Sequence, residues 1–455
     1  MILERKAYGA LRKWKNECQG KRALLIEGAR RTGKSTVAEE FGKNEYKSYL
    51  LIDFSLASET VKNYFNDYMN DLDTFFMLLS ASYKVRLFPR ESLIIFDEVQ
   101  RFPKARECIK RLVSDGRYDY LETGSLISLR ENVKDIVIPS EERNLKMFPL
   151  DFEEFCMSLD EGLLIEYIRK CYAEKKPLEE GLHKKAMMLF KQYMLVGGMP
   201  QSVVAFKEHS KDFSFVDKEK RDILGLYRED IMKMDSPDKA KVLAIYDQIP
   251  GLLSKHEKRV VYKDIQKGST ASSYEDTFFW LEDSMMCNPC FNCNDPNVGL
   301  SINEDRTYVK CYMGDTGLLV SHAFDENTLE KDGLYGQILN DKLSINEGML
   351  YENAIAQMLV ALGHKLYFYR NYDPVKHRND MEIDFLLSGT ANLHQKIFPI
   401  EVKSTSSYSL SSLLAFQKKY KNRIGECYVI HPKNYREKDG ITYLPAYMTF
   451  CLAYP

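Results

Sequence analysis

The chain has 455 residues, with 64 Lys and Arg against 66 Asp and Glu, a formal charge of -2. That near-neutral total excludes a polycation built to coat nucleic acid. The 44% hydrophobic and 29% charged content is ordinary for globular domains, and about three domains are expected at roughly 150 residues each. There is no run of roughly 18 apolar residues to span a bilayer. Ten cysteines are too sparse for a disulfide scaffold. The first residues carry charges throughout and lack a signal-peptide core, so the expected setting is a reducing cytoplasm without membrane association.

Leu3, Ala7, Leu11, Trp14 and Cys18 form one apolar stripe at helical spacing. The run Ala23-Leu24-Leu25-Ile26 then reads as a short buried strand, and Val37, Ala38 and Phe41 mark a helix. Between them lies Gly28-Ala29-Arg30-Arg31-Thr32-Gly33-Lys34-Ser35-Thr36, the P-loop pattern of nucleotide triphosphatases. Its glycines let backbone N–H groups wrap phosphate oxygens, Lys34 reaches the outer phosphates, and the Ser35 hydroxyl is a ligand for Mg2+. ATP is the expected nucleotide.

Leu93-Ile94-Ile95-Phe96-Asp97-Glu98 reads as a buried parallel strand ending in two acids at the ligand crevice. Asp97 is expected to share the hydrated Mg2+ with Ser35, and Glu98 to polarise the attacking water. The plainer alternative is a strand end that caps the next helix. The strand Tyr118 to Leu121 runs into Thr123-Gly124-Ser125, where Ser125 is the candidate sensor of the terminal phosphate; Ser and Thr also cap helices routinely.

Together GARRTGKST, FDEVQR, ETGS, MFPLDFEEF and LVGGMP resemble a family of bacterial and archaeal AAA-like ATPases. The resemblance implies an α/β chain: a P-loop parallel-sheet ATPase core over 1–145, a helical lid over 146–236, a winged helix over 237–320 and a nuclease-like domain of the PD-(D/E)xK type over 321–455. In related signal-transducing ATPases a Gly-x-Pro of the lid packs on adenine, and Gly198-Met199-Pro200 matches it, making Pro200 a nucleotide contact. From the residues alone it is a helix-breaking turn. The resemblance also implies a homo-oligomer that supplies an arginine in trans, for which Arg143 is the candidate and a solvated surface charge the alternative.

The stretch 239–254, a short helix over 262–267, a turn at 268–270 and a helix over 272–285 have helix-turn-helix spacing. Residues 271–286 contain Glu275, Asp276, Glu282 and Asp283 and no Lys or Arg, a charge of -4. Such a helix repels phosphate and favours a protein partner, although Lys255, Lys258, Arg259, Lys263 and Lys267 precede it as a basic face. Cys287, Cys290, Cys293 and Cys311 invite a zinc or iron-sulfur reading but fit no zinc-ribbon spacing well, and the plainer alternative is small hydrophobes of the wing strands.

From Gly348 the pattern is helix, three strands, helix, strand, the core order of restriction-type nucleases. In Met381-Glu382-Ile383-Asp384-Phe385 the two acids share one face, and in Pro399-Ile400-Glu401-Val402-Lys403 so do Glu401 and Lys403. If these strands pair in register, Asp384, Glu401 and Lys403 converge, with Asp384 and Glu401 holding Mg2+ or Mn2+ and Lys403 positioning the nucleophile. Glu352 matches a further metal ligand of that group. The same residues also read as half-buried ion pairs. Residues 346–455 hold 13 Lys and Arg against 10 Asp and Glu, so DNA or RNA contact is expected there. Three functions follow: an ATP-regulated nuclease, as in defence against foreign DNA; a signalling ATPase whose nuclease-like domain binds without cutting; or a ring-forming remodeller.

Overall fold

The computed structural model describes residues 3–125, 140–234, 237–255, 258–260, 262, 271–297, 299–324, 333–339, 347–373, 378–391, 394–405 and 407–453. The chain forms two compact units, one of residues 1–148 with 283–285, the other of 149–282 with 286–455.

The smaller unit is built on five strands: β1 (Ala23–Glu27), β2 (Ser48–Asp53), β3 (Ser92–Asp97), β4 (Asp119–Gly124) and β5 (Glu142–Lys146). They lie in the order β2-β3-β4-β1-β5, and every pairing is parallel. β1, β3 and β4 are buried along their whole length, which explains why their sequences read as apolar runs and not as alternation. One face packs Leu24, Ile26 and Ile95 with the helices Lys6–Cys18 and Lys34–Glu45, through Leu11, Trp14, Cys18 and Phe41. The other packs Leu25, Ile94 and Phe96 against the helices Glu59–Asp67, Leu72–Tyr83 and Pro103–Asp115. Each such aliphatic side chain contributes about 1.5–3 kcal/mol by leaving water.

The larger unit opens with helices Phe152–Ser158, Gly162–Ala173, Glu180–Val196, Pro200–Glu208, Phe213–Met232 and Lys239–Ser254. Asp151 and Glu154 start the first of these with a reciprocal capping box. The unit also holds an eight-stranded mixed sheet: β6 (Cys287–Cys293), β7 (Glu304–Met313), β8 (Leu366–Asp373), β9 (Arg378–Ala391), β10 (His394–Val402), β11 (Cys427–His431), β12 (Arg436–Lys438) and β13 (Ile441–Pro445), ordered β12-β13-β11-β10-β9-β8-β6-β7. The helix Glu347–Ala361 packs on it.

Two expectations change here. β6 and β7 do not stand apart as a wing: β6 pairs in parallel with β8, Cys290 opposite Leu366 and Asn292 opposite Phe368. The stretches 237–320 and 321–455 therefore contribute strands to one sheet. Of the expected second helix and turn, all but Tyr262 lies outside the described residues, with Lys263 and Lys267. The acidic helix Glu275–Asp283 is present and buries Phe278 and Leu281. Cys287, Cys290, Cys293 and Cys311 are buried in the strands, with Cys290 three positions from Cys287 and so on the opposite face. Among the described residues, no three His, Cys, Asp or Glu are grouped to hold a metal. No described helix is long and apolar enough to cross a membrane.

Candidate functional sites

β4 lies between β1 and β3, so the loop after β1, the acids ending β3 and the hydroxyls ending β4 meet at one sheet edge, the carboxyl end where open parallel sheets bind ligands. Gly33 holds φ 91°, open to glycine and strained for any side chain. A Cβ on Gly28 would stand 2.3 Å from the Met147 carbonyl oxygen. These two positions explain the glycines of the motif. The helix Lys34–Glu45 starts immediately after Gly33, so its unsatisfied N–H groups and positive dipole end face the loop. Gly28, Ala29 and Thr32 are buried, Arg30 and Ser35 are half-buried, and Arg31 and Thr36 are exposed.

Lys34 donates to the carbonyls of Gly28 at 3.0 Å and Ala29 at 2.8 Å. Burial pulls its pKa down to about 8, against the opposing pull of the Glu98 and Asp97 carboxylates. Ser35 Oγ donates to Asp97 Oδ1 at 2.7 Å, and Thr123 Oγ1 donates to the same oxygen. The Glu98 N–H in turn donates to Thr123 Oγ1 at 3.4 Å. Glu98 has φ 53°, an uncommon conformation for this residue type that turns the chain at the strand end. Its Oε2 accepts from Gln100 Nε2 at 2.5 Å. The donor set fits Mg2+: a hydroxyl and a carboxylate oxygen are already side by side, with a second carboxylate one residue on.

The structure thus brings Gly28 to Ser35, Asp97 and Glu98 together. Ser125 sits just past β4, half-buried; the hydroxyl that reaches Asp97 is that of Thr123. Arg143, on β5, is ion-paired with Glu17 at 3.0 Å and 43% exposed. Sequence reading missed Arg5, which is buried and donates to the Thr32 carbonyl at 2.8 Å and to that of Phe148 at 2.7 Å, bracing the loop.

The Gly-x-Pro segment is packed inside the larger unit. A Cβ on Gly198 would lie 2.0 Å from the Leu150 carbonyl oxygen, and Leu150 N–H donates to Gly198 O at 2.7 Å. Gly198 N–H donates to Asp315 Oδ2 at 2.5 Å, and Gln357 Nε2 to the same oxygen at 3.1 Å. Lys220, buried, donates to the Leu195 carbonyl at 2.8 Å. Pro200 is the first residue of its helix and half-buried.

The second constellation forms where β9 and β10 pair antiparallel. Phe385 is opposite Ile400, which puts Asp384 and Glu401 side by side. Asp384 Oδ2 accepts from Val402 N–H at 2.8 Å, and Lys403 Nζ donates to Glu401 Oε2 at 2.9 Å. Burial, then the neighbouring Asp384, pushes Glu401 up to about 8, with Lys403 opposing. Glu352, from the helix Glu347–Ala361, joins them. Burial alone would raise its pKa; the ammoniums of Lys258 and Lys310 outweigh that and hold it at about 2. Tyr312 donates to one Glu352 oxygen and Lys258 to the other.

Glu352, Asp384, Glu401 and Lys403 converge as expected, and two lysines that sequence reading did not place there converge with them. Lys258, expected on a basic face for nucleic acid, is instead engaged with Glu352. Lys310 Nζ lies 2.9 Å from Glu382, 3.6 Å from Glu352 and 3.9 Å from Asp384. The donor set as arranged does not fit a divalent metal: both Glu352 oxygens already accept from donors, and an ammonium stands among the carboxylates.

Comparison with known proteins agrees with the first site. Residues 20–156 match an AAA domain family. Residues 187–328 and 347–448 match two domains of unknown function, DUF8612 and DUF4143. No curated protein matches. Solved structures with similarity include C. elegans PCH-2, at 12% identity over 48% of this chain and 70% of that one, TM-score 0.27. Cdc6p from Pyrobaculum aerophilum is 11% identical over 74% and 94%, TM-score 0.24. Drosophila ORC bound to DNA is 12% identical over 69% and 93%, TM-score 0.28. Scores this low carry no argument. The family match and the site geometry define a P-loop AAA-like ATPase domain. It is followed by a mixed α/β region whose last strands fall in a family of unknown function.

Proposed function

We propose that the chain binds and hydrolyses ATP with Mg2+ and that its nucleotide state controls the nuclease-like C-terminal sheet as a non-cleaving output domain. The observation that carries the ATPase reading is the hydrogen-bonded set Ser35, Asp97 and Thr123 beside a Lys34 ammonium resting on carbonyl oxygens. Mg2+, when bound, neutralises charge on the outer phosphates. Lys34 exchanges its carbonyl partners for phosphate oxygens, Ser35 and Asp97 hold the ion, and Glu98 orients and polarises the attacking water. Gln100 and the turn at Glu98 keep that carboxylate in place.

Control of the C-terminal sheet is supported by a continuous polar path within the larger unit. It runs from Gly198 to Asp315 and Gln357, and Gln357 shares the helix Glu347–Ala361 with Glu352. The lid segment and the acidic cluster are therefore tied to one rigid element, which a change at the lid would shift. An ATP-regulated nuclease is the second reading, favoured by the in-register Asp384, Glu401 and Lys403. It expects Mn2+-dependent cleavage of DNA or RNA that Asp384→Ala abolishes. A ring-forming remodeller, in turn, expects a closed oligomer by mass measurement.

The test is steady-state ATP turnover and nucleotide binding by the purified chain. Lys34→Ala is expected to lose both. Glu98→Gln is expected to keep binding while turnover falls by about 10²-fold or more, the range for loss of a general base. Unchanged turnover in both variants would overturn the assignment.

A further inference from the structure

Lys310 occupies an improbable position for a lysine. It lies in β7 between Val309 and Cys311, both buried, and is itself 1% exposed. Taking an ammonium out of water costs several kcal/mol unless charged partners surround it, so its neighbours must explain it. Its three N–H donors face three carboxylates, Glu382, Glu352 and Asp384, all within 3.9 Å. These acids come from two separate elements, β9 contributing Glu382 and Asp384 and the helix Glu347–Ala361 contributing Glu352. Around this centre Lys258 holds the outer oxygen of Glu352 and Lys403 holds Glu401. Four carboxylates thus face three ammonium groups. A divalent cation added to that set would leave net positive charge in a buried box, whereas removal of one ammonium would leave room for it.

We infer that Lys310, with Lys258 beside it, is a built-in cation that stands where a nuclease of this architecture would bind a divalent metal, so that the site holds its acids together without Mg2+ or Mn2+. The inference rests on the nuclease-like reading of the C-terminal sheet and not on ATP turnover. It assigns Lys310 a positioning role: the ammonium fixes Glu352, Asp384 and Glu382 relative to one another. A phosphodiester approaching this site would meet carboxylates with no metal to bridge them, which disfavours cleavage.

The experiment titrates Mn2+ into the nucleotide-free full-length chain, followed by electron paramagnetic resonance and by thermal unfolding. Wild type is expected to show no Mn2+ site that Asp384→Asn removes, and no Mn2+-dependent rise in Tm beyond that of Asp384→Asn. Lys310→Met is expected to lower Tm and to gain a Mn2+ site that restores it, and adding Asp384→Asn should abolish the gain. Lys310→Gln is the second variant if Lys310→Met does not fold. If neither folds, the wild-type and Asp384→Asn pair decides alone. An Asp384-dependent Mn2+ site in wild type would overturn the inference, as would a folded Lys310 variant that gains no Mn2+. ATP turnover measured on the same preparations keeps the two proposals apart, since its absence would break the ATPase reading and leave the Mn2+ result standing.

Discussion

The two sites treat their lysines in opposite ways. In the P-loop, Lys34 rests on the carbonyl oxygens of Gly28 and Ala29, neutral acceptors that an incoming phosphate outcompetes. In the C-terminal cluster, Lys310, Lys258 and Lys403 are each paired with carboxylates, and the charge is already balanced. The first site is short of negative charge and so is ready for an anionic ligand. The second is close to neutral and holds itself shut. Buried lysines at a sheet edge therefore mark a ligand site only when their partners are displaceable.

The comparison would be sharpened most by stability. Lys310→Ala strips a buried cation from three acids, and loss of one partner from such a cluster costs about 3–5 kcal/mol. Lys34→Ala removes a cation whose burial is opposed by few charges, and is expected to change stability by less than about 1 kcal/mol. Urea denaturation of the full chain measures both, and equal losses would break the contrast. A smaller effect is expected from pH. Lys34 in the free protein loses its proton as pH rises through about 8, while phosphate favours the ammonium. Nucleotide affinity should therefore fall above pH 8, by at most about tenfold per unit; fluorescent-nucleotide titration checks it, and an affinity that stays flat from about pH 7 to about pH 9 would break the expectation. The smallest effect is expected at Arg143, whose pair with Glu17 is exposed. Arg143→Ala should leave turnover at low protein concentration within about twofold, and a loss that grows with protein concentration would instead mark it as the trans arginine.

The P-loop was legible because its information is local: glycines, lysine and hydroxyl sit within nine consecutive residues between a strand and a helix. Asp384, Glu401 and Lys403 were legible for a related reason, since strand alternation fixes which side chains share a face. What failed to show was everything set by pairing at a distance. β6 and β7 read as a wing because two short antiparallel strands look alike wherever they dock, and the partner of β6 lies some seventy residues on in β8. Lys310, inside Tyr-Val-Lys-Cys-Tyr, gave no sign of its acids, which come from residues 352, 382 and 384. Arg5 reads as one charge among many ahead of the first helix, and its contact with Thr32 depends on how that helix docks. The contact of the Thr123 hydroxyl with Asp97 gave no sign in the sequence, because the register of β4 against β3 cannot be fixed without its neighbours.

The parallel pairing of β6 with β8 bears on how the chain comes to be made. The family match over 187–328 contains β6 and β7, and that over 347–448 contains β8 to β13. These two segments are two parts of one sheet. During synthesis, β6 must wait with an open hydrogen-bonding edge until the later strands emerge, and an open edge is a template for pairing with the wrong chain. A fragment ending near residue 330 should therefore be recovered as aggregate, and neither segment is expected to have been inherited or transplanted without the other.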